Sequence, residues 1–274
     1  MTTNLPVRAS SEDWQYLRQM LTQWPSVQWI EEVGSTNAEL LELARRDRDT
    51  ASWPRLLGCY HQTHGRGRAG RPWLDHEGQT LMFSCGFMLP IAPRLLAGIA
   101  PALGIAACAS LRAIAGHQAH RLTMKWPNDI MLDDSKLAGI LVESRIQGPH
   151  VLLVAGIGLN LSGHSHLSEQ LHRHVADWAQ LENTTTNRFE IAAAISQSWF
   201  ECLCGYDENR LLSLREQLRG FDYLLDKPVT ILDGNQVQMH AVACGLANDG
   251  RLLVKSDDGA VQSVSVGDIS VRRT

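Results

Sequence analysis

The chain has 274 residues, of which 44% are hydrophobic and 20% charged, and its formal net charge is −4. This length supports one large domain or two modest ones with a sizeable core, and the slight acidic excess excludes the basic footprint that bulk nucleic-acid binding needs. None of the six cysteines (Cys59, Cys85, Cys108, Cys202, Cys204, Cys244) belongs to a C-x-x-C pair, so reduced thiols of a cytoplasmic protein are expected, not disulfides or zinc ligands.

Residues 1–10 look frayed and carry no apolar signal region. Trp14, Leu17, Met20, Leu21 and Trp24 then recur at helical spacing and predict one short helix within residues 11–33. Thr36 followed by Glu39 reads as a capping box with Thr36 at the cap, opening a helix whose apolar face is Leu40, Leu41, Leu43 and Ala44. Leu56–Tyr60 and Leu81–Met88 read as strands, and the glycine- and arginine-rich residues 62–80 between them as an irregular loop. Leu95–Leu111 carries no charge but contains Pro101. It reads as a buried helix kinked or started near the proline, not as a membrane span.

Met124–Leu132 suggests a strand interrupted by Pro127, Asp133–Ser135 a polar turn, and Leu137–Ser144 and Val151–Leu161 two further strands. The polar, histidine-rich residues 162–186 read as loop or weak helix. Asn187 and Glu190 make a second cap signature for a helix to about Leu203, and another helix is expected over 207–219. From Pro228 the texture changes to short strand-like runs, Val229–Leu232, Val237–Leu246, Leu252–Lys255 and Val261–Val266, separated by Asp-Gly turns. The expected fold class is therefore α+β: a mixed β-sheet domain with helices packed on it, followed by a small β-barrel, partly open, at the C-terminus.

Chemistry-bearing residues concentrate in three segments. In Gly65-Arg66-Gly67-Arg68-Ala69-Gly70-Arg71-Pro72-Trp73 the glycines expose backbone N–H groups and the arginines add forked donors, which suits an anionic ligand such as a nucleotide phosphate. A solvated flexible loop or an RNA-binding Arg–Gly segment fits the same residues, and the spacing is not that of a P-loop. In Lys125-Trp126-Pro127-Asn128-Asp129 the proline restricts its neighbours and would hold the lysine in place. A surface lysine followed by a plain turn is the alternative. The third segment is Lys136-Leu137-Ala138-Gly139-Ile140-Leu141-Val142-Glu143, followed by Gly156-Ile157-Gly158-Leu159-Asn160. Glycine weakens a strand unless a ligand or a backbone comes close there, and close packing without a ligand is an equal alternative. His164, His166, His172 and His174 form two H-x-H pairs, read as a solvated loop before a metal site.

These three segments, in this order and together with Ser35-Thr36-Asn37 and Gln62, resemble the catalytic core of biotin protein ligases, also called biotin–[acetyl-CoA-carboxylase] ligases. The resemblance begins near residue 28 and runs to the end. It implies an N-terminal extension over 1–27, a catalytic biotin- and ATP-binding domain over 28–224 and an SH3-like barrel over 225–274. It implies that Ser35, Thr36, Asn37 and Gln62 line the biotin pocket. Arg66, Gly67 and Arg68 would close over biotin and the phosphates, with Arg71 and Trp73 also on the ATP side. Lys125 would contact the biotin carboxylate and the α-phosphate, making Lys125 and Arg68 the catalytic pair. Asn128 and Asn160 would touch the nucleotide, and Trp178 stands where an aromatic covers adenine in relatives, although a core tryptophan fits equally. Ala69 departs from the family, which often has a second consecutive arginine there.

The implied activity is ATP-dependent formation of biotinyl-5′-AMP, with Mg²⁺, and transfer of biotin to a lysine of the biotin carboxyl carrier protein of acetyl-CoA carboxylase. The sequence names no metal ligands and leaves a homodimer open. Too few residues precede Ser35 for the winged helix-turn-helix of bifunctional relatives, so a DNA-binding repressor is disfavoured and no DNA or membrane partner is expected. A lipoate or octanoate ligase or transferase of the same broad fold is the other alternative.

Overall fold

The computed structural model describes residues 11–47, 49–76, 78–171, 174–181, 186–233, 236–265 and 269–273. In chain order the helices and strands are α1 (Ser11–Met20), β1 (Ser26–Val33), α2 (Thr36–Arg46), β2 (Arg55–Gln62), β3 (Thr80–Leu89), α3 (Leu96–Ala115), β4 (Leu122–Lys125), β5 (Asp129–Leu132), β6 (Ser135–Gln147), β7 (His150–Asn160), α4 (His164–Leu171), α5 (Arg188–Leu203), α6 (Glu208–Leu218), β8 (Pro228–Asp233), β9 (Gln236–Leu246), β10 (Leu252–Lys255), β11 (Val261–Val264) and β12 (Ile269–Arg273). By packing they fall into two units, Met1–Pro90 with Ser135–Gln197, and Ile91–Asp134 with Ser198–Thr274. The mixture of sheet and helix is the α+β class expected from the sequence.

The strands of the first unit run in the order β1-β2-β3-β7-β6. β1 and β2 are parallel, and the other pairs antiparallel. β3 is buried on both faces, with Leu81, Met82, Phe83, Ser84 and Cys85 all at 0% exposure, which is why it reads as an unbroken apolar run. One face carries Ser84, Gly156 and Leu141 side by side across β3, β7 and β6, and two residues further along Met82, Gly158 and Gly139. α2 covers the other end of this face, where Leu40 and Ala44 cluster with Trp53, Leu57, Leu152 and Val154. On the opposite face Cys85 Sγ lies 3.4 Å from Ser196 Oγ of α5.

The one short helix expected within residues 11–33 is α1; of the apolar residues that announced it Leu17, Leu21 and Trp24 are buried and Met20 is 45% exposed, and Ser26–Val33 form strand β1. The interleaved Gln28, Glu31 and Glu32 break the apolar alternation that would have announced that strand. At α2 the cap is Ser35, in extended conformation and without a side-chain cap bond, and Thr36 is the first helical residue. The second cap signature stands: Asn187 Oδ1 accepts the Phe189 N–H at 2.8 Å and Glu190 accepts the Asn187 N–H at 3.2 Å.

The second unit contains α3, which begins at Leu96 and carries Pro101 inside it. Its length and composition would suffice to cross a membrane, but 61% of that apolar stretch is buried within the protein. The strand expected over 124–132 is instead the hairpin β4–β5, with Lys125 opposite Asp129. Pro127 has no N–H for a ladder, and Trp126-Pro127-Asn128 turns the chain, with the Trp126–Pro127 bond cis. The C-terminal strands form an antiparallel sheet in the order β11-β10-β9-β8-β12, and β12 was not foreseen. Gly250 and Gly259 take φ of +86° and +85° at the Asp-Gly turns, as such hairpins require. Gly234 and Asn235 lie outside the described residues.

Asp222 follows α6, in a parallel bridge with Met124, and its side chain accepts the Leu224 N–H at 2.9 Å. Burial pushes its carboxyl up from 3.8 to about 6, although backbone hydrogen bonds to Leu224 and Leu225 favour the charged form. The folded chain therefore holds a proton that the unfolded chain releases. The contribution of this one group to stability is fully present below about pH 4 and is lost as pH rises through about 6. Relative to the parent, Asp222→Asn should gain nothing near pH 4 and on the order of 2 kcal/mol at pH 7, read from urea midpoints. Equal midpoint shifts at both pH values would contradict a buried carboxylate.

Candidate active site

The start of α2 and the glycine face of the sheet meet in a cluster of hydrogen-bonded polar side chains. Ser35, Thr36 and Asn37 are buried, at 7%, 4% and 3% exposure. The Thr36 N–H donates to Gln62 Oε1 at 2.8 Å, and Thr36 Oγ1 lies 2.6 Å from Ser84 Oγ. Ser84 Oγ donates to Asn37 Oδ1 at 2.6 Å, while Asn37 Nδ2 donates to Glu143 Oε2 at 2.8 Å and to the Leu141 carbonyl at 3.3 Å. Gln62 is held in turn at the end of β2, where its N–H donates to Asp75 Oδ2 at 3.3 Å beside a His61–Asp75 pair at 3.0 Å. The sequence reading singled out Ser35, Thr36, Asn37 and Gln62, and the structure groups Thr36, Asn37 and Gln62 in one network. It missed Ser84 and gave Glu143 no role. Both are polar residues inside apolar strand runs, and that was the available signal.

The glycines in the strands have an occupant. A Cβ on Gly156 would stand 2.2 Å from Asn37 Oδ1 and 2.9 Å from Ser84 Oγ. A Cβ on Gly158 would stand 2.2 Å from the Trp73 indole, and one on Gly139, its partner across β6–β7, 3.2 Å from the same ring. The missing side chains leave room for Asn37 and Trp73 to lie against the strand backbone. Lys136 Nζ lies 5.6 Å from the centroid of Trp73, within reach of a cation–π contact.

The glycine–arginine segment is more regular than expected. Arg66 and Pro72 pair in an antiparallel bridge. The Trp73 N–H donates to Gly65 O at 2.9 Å, Gly67 N–H to Arg71 O at 2.7 Å and Arg71 N–H to Arg68 O at 3.2 Å. Ala69 and Gly70 sit at the turn with φ of +53° and +69°, the two positive values of a type I′ hairpin turn. Left-handed backbone at Ala69 costs about 1 kcal/mol relative to glycine. Gly67, at φ −102°, is ordinary extended backbone. Arg66, 46% exposed, faces Glu143 Oε1 at 3.9 Å.

At the end of β7, Asn160 Nδ2 donates to the Ala176 carbonyl at 2.9 Å, and Trp178 is 3% exposed. Asn160 thus pins the 174–178 segment to the end of β7, and the Trp178 indole is buried beside it. His164 pairs with Asp177 at 2.9 Å, and His166 stacks edge-on against His76 with ring centroids 4.9 Å apart. His172 lies outside the described residues. Among the described residues, no group of three or more His, Cys, Asp or Glu side chains is placed to hold a metal.

In the second unit, Lys125 ends β4 with Nζ 6.0 Å from the ring centroid of Tyr223, and Lys227 Nζ lies 4.7 Å from the same ring. The Tyr223 hydroxyl donates to Asp134 at 3.2 Å. Trp126, 2% exposed, donates its indole N–H to the Gly250 carbonyl at 3.0 Å, and Asn128 is 7% exposed. Lys125 thus projects from a turn anchored on both sides.

The glycine floor can be tested without any ligand. Gly158→Ala puts a methyl into the Trp73 indole, so the ring must leave. The substitution should cost about 1–3 kcal/mol, the range for overpacking, and speed amide exchange at Gly67 and Trp73. Unchanged exchange with unchanged stability would show that Trp73 does not rest on the floor.

Comparison with known proteins agrees with this geometry. The Biotin/lipoate A/B protein ligase family matches residues 51–160, and the Biotin protein ligase C terminal domain matches residues 224–272. The bifunctional ligase/repressor BirA of Escherichia coli is 29% identical over 252 residues, covering 90% of this chain and 74% of that protein. The biotin–[acetyl-CoA-carboxylase] ligase of Paracoccus denitrificans is 40% identical over 138 residues, 47% of this chain and 52% of that one. Among solved structures, the biotin protein ligase from Aquifex aeolicus in complex with biotin and ATP superposes with a TM-score of 0.73 at 26% identity, covering 91% of this chain and 99% of that one. The two matches follow one another in the chain, which therefore carries a biotin/lipoate A/B protein ligase domain followed by a biotin protein ligase C-terminal domain, in the fold of the biotin protein ligases.

Proposed function

We propose that the chain forms biotinyl-5′-AMP from biotin and ATP and transfers the biotinyl group to a lysine of the biotin carboxyl carrier protein of acetyl-CoA carboxylase. The reading assigns the chemistry to residues 28–224, with 225–274 as the C-terminal domain, and places the protein in the cytoplasm. The observation that carries it is the polar wall of Thr36, Asn37, Gln62 and Ser84. A ureido ring offers two N–H donors and a carbonyl acceptor to such a wall. The dithiolane of lipoate or the alkyl chain of octanoate offers neither, and would leave buried polar groups without partners.

The reaction joins two anions, since the biotin carboxylate attacks the α-phosphorus of ATP and pyrophosphate leaves. Fixed positive charge must offset that repulsion. Lys125 supplies a compact ammonium to the carboxylate and α-phosphate, and Arg66, Arg68 and Arg71 supply forked donors along the hairpin. Magnesium enters as part of the substrate, on the phosphate oxygens of ATP, as is usual for this ion. The carrier's lysine, arriving uncharged, attacks the acyl carbonyl of the mixed anhydride and AMP leaves. Water would destroy that anhydride, and a hairpin closing over it prevents this.

Purified protein with biotin, ATP and Mg²⁺ should label a biotin carrier domain, and ATP–pyrophosphate exchange should require biotin. Lys125→Ala should fold and lose exchange by about 10²-fold, the scale of one transition-state electrostatic contact. Folded parent protein that labels no carrier overturns the reading, and near-parental exchange in the variant removes Lys125 from its role.

Arg66, Arg68 and Arg71 repel one another when no anion lies between them, and the tip of the hairpin is closed by the Gly67–Arg71 and Arg71–Arg68 backbone hydrogen bonds. Amide exchange across residues 62–73 should therefore slow by at least about tenfold on adding biotin with ATP. Equal protection with and without ligand would make the hairpin a preformed cradle in place of a lid.

A further inference from the structure

Glu143 stands on the sheet face shared with Gly156 and Ser84, opposite Val154 of β7. Its side chain is 29% exposed and uses both oxygens. Oε2 accepts from Asn37 Nδ2 at 2.8 Å, and Oε1 faces the Arg66 guanidinium at 3.9 Å. One carboxylate thus touches both the ring pocket and the first arginine of the hairpin.

Its charge dictates which way the pocket's hydrogen bonds run. Asn37 Nδ2 has two neighbours, an ionised carboxylate and the Leu141 carbonyl, and both can only accept. The amide NH₂ must point at them, which turns Oδ1 toward Ser84. Ser84 then has to give its one proton to Asn37 Oδ1, at 2.6 Å. The 2.6 Å contact between Ser84 Oγ and Thr36 Oγ1 needs a proton as well, and Thr36 has the one left to give; its other acceptor, Gln62 Oε1, lies farther off at 3.2 Å, so the shorter contact takes the proton. The order of donation is therefore Thr36 to Ser84 to Asn37 to Glu143. Thr36 Oγ1, its proton spent, presents lone pairs, and Gln62 Oε1 is already turned to the Thr36 N–H. The wall offers acceptors, which a ureido N–H requires. The bare backbone of Gly156 beneath Asn37 leaves the amide no room to shift away.

We propose that Glu143 is a positioning residue for biotin: it sets the hydrogen-bond polarity of the Asn37–Ser84–Thr36 chain and holds Arg66 beside that chain. This rests on the ligase reading for the identity of the ligand. A glutamine at 143 keeps the size but brings its own NH₂ group, so the direction of the chain is no longer imposed. An alanine at 84 interrupts the chain and leaves the Glu143–Arg66 pair in place.

The test is biotin binding by calorimetry without ATP, beside steady-state kinetics and thermal melting, on the full chain. Glu143→Gln should weaken biotin binding by at least about tenfold, the scale of one hydrogen bond to a charged group, while KM for ATP stays within about threefold. It should also raise the rate at which biotinyl-AMP escapes when no carrier is present. Ser84→Ala should weaken biotin binding similarly, with KM for ATP unchanged. Glu143→Gln that melts like the parent and binds biotin within about twofold overturns the proposal, as does an equal loss for biotin and ATP. Should Glu143→Gln not fold, the Ser84→Ala arm decides alone: parental biotin affinity there overturns it. A parent that binds biotin but labels no carrier would instead overturn the ligase reading and leave the binding test standing.

Discussion

Three missing side chains on one face of the sheet govern the first unit. β6 and β7 would be better strands with branched residues at 139, 156 and 158, since glycine loses more backbone entropy on folding and packs nothing. In exchange, Asn37 and Trp73 lie directly on the sheet backbone. Asn37 can then reach Ser84 on one side and Glu143 on the other, and Trp73 fixes the base of the arginine hairpin. A single Cβ at 156 or 158 would be incompatible with one of these two placements. The pocket and the hairpin are thus two uses of the same flat patch, and their relative position follows from the register of β6 on β7.

Much of this was legible in the sequence, for identifiable reasons. The three motif segments and Ser35-Thr36-Asn37 were visible because their residue types are out of place locally: glycines inside strands, a charged run among glycines, a lysine before Trp-Pro. Strands β2, β3, β6, β7 and β10 were legible because burial on one or both faces writes itself into the apolar pattern. β1 was hidden by polar residues in its alternation. Residues 124–132 looked like one strand because apolar content continues across the turn, and only three-dimensional pairing shows that Pro127 marks a reversal.

The occupants of the glycine patch could not be read from the chain at all. Gly156 and Gly158 lie more than eighty residues from the side chains they accommodate, and a glycine says that something comes near without saying what. Ser84 and Glu143 had the same difficulty. Each is one polar residue in an apolar run, as compatible with a solvated strand edge as with a buried network. Thr36 was misread for the opposite reason: its local signature is a good cap, but Gln62 and Ser84 compete for its groups and win, leaving the cap position to Ser35.

The bond from the Trp126 indole to the Gly250 carbonyl ties the lysine turn to the β9–β10 turn of the C-terminal sheet, and Gly98 of α3 packs against that same turn, where a Cβ on Gly250 would lie 2.7 Å from Gly98 Cα. The C-terminal sheet is accordingly not an interchangeable module. Grafting the equivalent sheet of a relative onto this chain at residue 225 would preserve every motif residue named above. It would still strand a buried indole N–H unless the incoming turn offered a carbonyl at the same place and a glycine thin enough to sit on α3. Compatibility of that one turn, and not overall similarity of the grafted sheet, decides whether such a chimera keeps its lysine in position.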